Sequence, residues 1–399
     1  MVKAVRERYN EEFTDEKYAE FLNDINTAFN YKIHFRVAET PVFFPASFRK
    51  TLEEAGESII KTLLRDDYKK LTEKAVPEGL FVPNEDDHSL FLALDFAVCK
   101  DENGELNPQL IELQGFPSLF GFQDFIQAKY KEHFYCPENY SAFFGDMDSP
   151  KYRERFKNAL LNGHDPKHVI LLEINPYEQS TSIDFVVTED MTGVKPVNIT
   201  DVIKEGRKLY YLLNGEKTEI KRIYNRVIFD EFVGKQKELN CQFHLTEDVD
   251  VEWAGHPNWF FRVSKYVMPF LDSPYVPECR FLNEVKEIPT DLENYVLKPL
   301  FSFSGTGVKF HVKREDIDEI PQDKRSGFLL QRKVKYEPVV QAPDGEVKVE
   351  VRLLYFWEPA NEKPELMVNL LRLSRGEMIG VKFNKDKTWV GGTVGYFER

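Results

Sequence analysis

The stretch Tyr295-Val-Leu-Lys-Pro-Leu-Phe-Ser-Phe-Ser-Gly-Thr-Gly-Val308 decides how the chain is read. Val296 and Leu297 favour an extended backbone, and Pro299 disfavours helix for the Lys298 that precedes it. A short strand therefore ends in a lysine. Small residues follow, with Gly305 and Gly307 able to bend the loop and bring amide N–H groups toward a bound anion. A strand lysine beside a loop of free donors suits a polyphosphate. The spacing is not that of the common phosphate loop, since no Gly-Lys-Ser/Thr follows the last glycine. The plainer alternative is a glycine-rich hairpin carrying an exposed lysine.

Working outward, Phe328-Leu-Leu-Gln-Arg-Lys-Val334 reads as an apolar strand that turns polar at Gln331. Val347-Lys-Val-Glu-Val-Arg-Leu-Leu-Tyr-Phe-Trp357 alternates like a half-buried strand, with Lys348, Glu350 and Arg352 on one face. Far upstream, Leu92-Ala-Leu-Asp-Phe-Ala-Val98 and Gln109-Leu-Ile-Glu-Leu-Gln-Gly-Phe-Pro-Ser118 flank Lys100-Asp-Glu-Asn-Gly104. Two apolar strands joined by an Asn-Gly turn make a hairpin. Asp95 sits in its first strand. Glu112 and Gln114, two residues apart, share one face of its second. A carboxylate from each strand and an amide oxygen form a donor set for a hard cation. Carboxylates that are merely solvated at strand ends are the alternative.

As a set, these segments resemble the ATP-grasp superfamily. Phe261-Arg-Val-Ser-Lys-Tyr-Val-Met-Pro-Phe-Leu-Asp-Ser-Pro-Tyr-Val-Pro277 is similar to its lysine-bearing helix and the strand that follows. The resemblance implies ATP and Mg2+ as cofactors. It implies Lys265 and Lys298 on the phosphates, with a covering loop that includes Ser304, Gly305, Thr306 and Gly307. Gln331 to Val334 would form the adenine hinge, with backbone groups of Lys333 and Val334 reading the base edge. Magnesium would rest on Asp95, Glu112 and Gln114, although Gln114 stands where the family has Asn. Arg352 would face the transferring phosphate. Arg372, on the strand Asn369-Leu-Leu-Arg-Leu-Ser-Arg375, would stabilise an acylphosphate, and a cross-strand ion pair is its alternative.

The order of parts is unusual, because the acidic hairpin precedes the lysine loop. Thr388-Trp-Val-Gly-Gly-Thr-Val394 looks like the Gly-Gly strand that leads, through a helix, to the metal hairpin. Here that helix would come from the N-terminal region. The pattern resembles the circularly permuted ligases of the superfamily, including glutathionylspermidine-synthase-like and eukaryotic glutathione-synthetase-like enzymes.

The expected fold class is α/β (α+β): a permuted ATP-grasp core, a Rossmann-like substrate lobe and an N-terminal helical region. The expected parts are residues 1–165, 166–250 and 251–399. Helical spacing predicts helices over residues 3–31, Ser47–Tyr68, Leu119–Tyr135 and Lys151–Asn162, with Ser47 as an N-cap. Leu52, Ile59, Ile60, Leu63 and Leu64 mark the buried side of the second. In the middle lobe, His168–Ile174 is a buried strand, and the loop after it carries Gln179 and Ser180 at a usual ligand position. Tyr224-Asn-Arg226 resembles a family strand end. Arg226 is placed to grip a substrate carboxylate bidentately, or else to pair with Asp230 or Glu231.

The chain's 53 basic and 67 acidic residues give a net charge of −14, and residues 1–150 alone carry −12. That field argues against a nucleic-acid partner. No run of about 18 apolar residues predicts a membrane span. The first residues show no apolar signal core, and Cys99, Cys136, Cys241 and Cys279 are scattered, so reduced thiols in a cytoplasmic protein are expected. The implied reaction is ATP-dependent ligation of a small-molecule or peptide carboxylate to an amine or thiol through an acylphosphate. A small-molecule kinase of the same fold and a nucleotide-binding protein without catalysis are the rival readings.

Overall fold

The computed structural model describes residues 1–300, 307–376, 379 and 384–399. Its central antiparallel sheet joins the two ends of the sequence. Across it run Gly391–Thr393, Glu365–Ser374, Gly345–Phe356, Phe91–Lys100 and Leu106–Gln114, and Val340–Ala342 pairs beside Gly345–Phe356. Alternation sends Leu92, Leu94, Phe96 and Val98 to one face with Val347, Val349, Val351 and Leu353. There they pack against Leu52, Ile59 and other residues of the Ala46–Leu63 helix. The opposite face is split. At one end Phe91, Ala93, Leu354 and Phe356 pack with Phe120, Tyr152 and Phe156. At the other end the same face carries the buried Asp95, Glu350 and Arg352 and the partly exposed Arg372, and buried charges must be satisfied by partners.

The middle lobe is a four-stranded parallel sheet in the order Glu252–Ala254, Arg222–Asn225, Val169–Glu173, Lys195–Asn198. Val169–Glu173 is buried throughout, as a parallel strand covered on both faces must be. The strand Glu252–Ala254 takes this lobe past the expected boundary at 250. An antiparallel unit of Ile203–Glu205, Lys208–Leu213 and Glu216–Ile220 is attached. A third sheet pairs Phe328–Arg332 with Cys279–Phe281 on one side and Tyr295–Pro299 on the other, over a small core that includes Leu282, Leu297, Ile317 and Leu330.

At the chain's end, Gly395–Glu398 runs parallel to Val42–Phe44, and Val37 bridges to Gly392. Val42–Phe44 leads into the Ala46–Leu63 helix and then the hairpin. The residues that lead into this helix therefore lie against the Gly-Gly strand and the strand that follows it.

Several local expectations change. Residues 3–31 form two helices, Lys3–Glu12 and Asp15–Thr27, because the Thr14 hydroxyl accepts from the Lys17 N–H and starts a new one. Pro45, not Ser47, precedes the next helix, which ends at Leu63 and leaves Leu64 39% exposed. Lys265 opens a 3₁₀ segment, Lys265–Phe270, instead of sitting within an α-helix. Among the described residues, no helix is long and apolar enough to cross a membrane.

Candidate active site

Strand register sets the charges in a row. Arg352 lies opposite Asp95, and Asp95 opposite Glu112. Arg352 Nε and Nη2 donate to the two Asp95 carboxylate oxygens at 2.5 and 2.6 Å. Arg372 Nη2 adds a bond to Asp95 at 2.9 Å and also donates to Glu350, its cross-strand neighbour. The Tyr336 hydroxyl donates to the other Glu350 oxygen at 2.8 Å. Two guanidiniums thus balance two buried carboxylates, and every carboxylate oxygen is occupied. Burial works against the charge of each arginine, but the carboxylates outweigh it, so both arginines end above their ordinary pKa. Burial pushes the Glu350 carboxyl up. The cross-strand ion pair considered for Arg372 is what the structure contains.

The lysine strand meets this row through a bulge. Asp95 pairs with Glu112 but Phe96 pairs with Leu110, which leaves Ile111 outside the ladder. The Ile111 carbonyl accepts from Lys298 Nζ at 3.2 Å. Burial lowers the Lys298 pKa and Glu112 opposes it. Burial also lowers that of Lys265, with Glu112 raising it and Lys298 lowering it further, so the three groups share one field. Gly115 permits the close approach of the turn that precedes Lys265: a Cβ there would lie 2.5 Å from the Trp259 carbonyl. Its N–H donates to the Val263 carbonyl at 2.8 Å.

Val296 and Lys298 lie opposite Gln331 and Leu329, so these four side chains share a face. Gln331 is buried and its Oε1 has no partner. The Lys333 N–H donates to the Asn294 carbonyl, so it is not available to read a base edge as expected. Val334 follows, partly buried. Gly307 holds φ +75° beside Pro299. Ser304, Gly305 and Thr306 lie outside the described residues.

The expected magnesium ligands divide into two groups. Gln114 Nε2 donates to Glu112 Oε1 at 2.9 Å, which orients the Gln114 amide and leaves the second Glu112 oxygen open. Asp95 differs, since guanidiniums hold both of its oxygens. Glu112 and Gln114 fit an ion brought in by phosphates, because magnesium commonly takes only one or two carboxylates in such sites. Asp95 does not fit that role in this arrangement. Among the described residues, a closer trio of possible ligands is Asp24, Glu132 and His133, but Lys129 already bonds to both acids there.

The residues expected on the substrate side are more embedded than foreseen. Arg226 is buried and donates to Asp184 at 2.5 Å, not to Asp230 or Glu231. Asp184 also accepts from the N–H groups of Leu119 and Phe122. Gln179 Nε2 donates to the Ile174 carbonyl at 2.7 Å, and Ser180 is exposed.

No family model matches the chain, and no curated protein matches it. Among solved structures, a glutathione synthetase-like effector (GSS30) from Globodera pallida, in its apo form, aligns at a TM-score of 0.57. The alignment covers 98% of each chain at 11% sequence identity. The chain has a glutathione-synthetase-like fold. Within that fold, Tyr336, Glu350 and Asp184 complete the charge networks, and only Glu350 carried a local signal, its two-residue spacing from Arg352. Tyr336 reaches Glu350 and Asp184 reaches Arg226 from other elements, and no local pattern marks them.

Proposed function

We propose that this chain is an ATP-dependent ligase that joins a carboxylate to an amine or thiol through an acylphosphate, with magnesium as the accompanying ion. The observation that supports it is the contact between Lys298 and the Ile111 carbonyl, which brings the rear lysine strand onto the front acidic hairpin. Lys265 and Lys298 then face the nucleotide's phosphates from one side, and Glu112 with Gln114 hold the ion from the other. The ion's contribution is to offset phosphate charge. The orphaned Gln331 oxygen is a ready acceptor for an exocyclic amine such as that of adenine. An acid's carboxylate oxygen attacks the γ-phosphorus and ADP leaves. The amine or thiol then adds at the acyl carbon and phosphate departs, its proton passing to solvent.

Arg372 keeps 37% of its side-chain exposure, so it offsets charge developing in the cleft. Arg352 and Asp95 hold it in place from behind. The lobe carrying Arg226 and the Gln179–Ser180 loop bounds the acid's side of the cleft.

A second reading, nucleotide binding without turnover, is favoured by one observation: the Asp95 carboxylate is spent on arginines. Screening amino acids, peptides and polyamines for coupled release of ADP and phosphate separates the two. Release of both, lost in Lys298→Ala with circular dichroism unchanged, supports the ligase. ADP without phosphate points to a kinase, and magnesium–ATP binding with no release under any pair favours the silent reading.

A further inference from the structure

A cavity of about 320 Å3 lies away from the charged row, between the end of the Ala46–Leu63 helix and the residues that open and close the two middle strands of the central sheet. Its inner wall mixes aliphatic and aromatic side chains, with Leu63, Leu92 and Val263 beside the rings. Trp259, Trp357 and Tyr68 line it, and their polar tips are engaged elsewhere: the Trp259 indole N–H with Asp86, the Trp357 indole N–H with the Asn361 carbonyl, the Tyr68 hydroxyl with the Arg262 carbonyl. The rings themselves are at most 7% exposed, so a ligand reaches a ring face by displacing the side chain that covers it. The rim carries the carboxylates of Asp66, Asp87 and Glu362, while one of its cations, Arg65, is spent on Asp67.

The protein's own side chains already show what these surfaces accept. The His88 ring lies flat on Trp357, with centroids 4.0 Å apart and planes 8° apart. The Lys69 ammonium sits 5.9 Å from the centre of the Trp259 ring and 3.7 Å from an Asp87 oxygen. A planar ring on one tryptophan, an ammonium over the other and a surplus of carboxylates at the mouth define a ligand class. We propose that this cavity is a second binding site, for a small amine that carries a planar ring. Its volume falls at the low end of ligand pockets, which suits a molecule of that size. The proposal is independent of the ligase reading, since none of these groups belongs to the charged row.

Calorimetric titration of the full chain with phenethylamine, and with 3-phenylpropionate as its charge-inverted counterpart, tests it. Phenethylamine is expected to bind at least about tenfold more tightly than the acid, and Trp357→Leu to weaken it by about tenfold. Lys69→Met removes the competing ammonium and is expected to tighten binding, whereas Glu362→Gln, at an exposed rim position, is expected to weaken it. If Trp357→Leu does not fold, the two rim variants carry the test alone. Absence of amine binding, equal affinity for amine and acid, or indifference of a folded Trp357→Leu or of both rim variants would overturn the proposal.

Discussion

Asp95 and Glu112 face each other across one strand pair, yet their surroundings give them different work. Asp95 is wholly buried and holds two guanidiniums, whereas Glu112 is only partly buried and keeps an oxygen open toward the lysines. Asp95→Asn should therefore lower stability by about 3 kcal/mol in urea unfolding without nucleotide, because Arg352 stays buried with a weakened partner. Glu112→Gln should stay within about 1 kcal/mol of the parent while weakening the magnesium dependence of ATP binding. Equal stability losses would remove the distinction. Glu173 is a third kind of carboxyl. Burial pushes its pKa up to about 8, against the Ile174 N–H and Arg226. The folded state then holds a proton that the unfolded chain releases near pH 4.3, so this group's contribution falls as pH rises from about 4 to 8. Glu173→Gln should be more stable than the parent by about 1–3 kcal/mol at pH 8 to 9, with the gap closing near pH 4. Parallel pH–stability curves would contradict it. The two-residue strand period made Glu112, Gln114, Glu350 and Arg352 legible in the sequence. That period gives a shared face and says nothing of how the charges on it pair.

At the scale of elements, the hairpin, the buried strand Val169–Glu173 and the helices Ala46–Leu63, Phe120–His133 and Ser149–Leu161 were legible because their apolar spacing is regular. What was not legible is how one element completes another. The Phe120–His133 helix begins after Leu119, which holds φ +60°, and no side chain of its own caps it. Asp184, from the Ser182–Thr192 helix, accepts its first N–H groups and Arg226 as well. Arg226 and Asp184 stand 42 positions apart, so sequence offered only the nearer Asp230 and Glu231 as partners. Asp184→Ala strands a buried guanidinium and two helix N–H groups together. The expected loss is about 3–5 kcal/mol, read as a lower urea midpoint. A loss below about 1 kcal/mol would mean that water replaces the carboxylate.

Across the whole molecule, front and rear segments of the sequence share one core. The largest core runs from Tyr9 to Phe397, so both ends of the sequence are tied into the central sheet. The sheet carrying Lys298 and Gln331 joins that core on one face through Phe281 and Leu329, and on its other face encloses a small core of a few side chains around Leu297 and Leu330. Units with little buried apolar surface open at lower cost than the global core. In native-state hydrogen exchange, the amides of Leu297 and Leu330 should therefore open at least about 2 kcal/mol more easily than those of Val351 and Leu353. If magnesium–ATP bridges the lysine strand and the hairpin, as proposed, it has to suppress that opening, by about 2.7 kcal/mol at a hundredfold excess over its dissociation constant. Protection that rises on the lysine sheet alone would place the nucleotide in this cleft. Uniform exchange across both sheets, unaltered by nucleotide, would mean that they form one cooperative unit and that the cleft between them does not take up ATP.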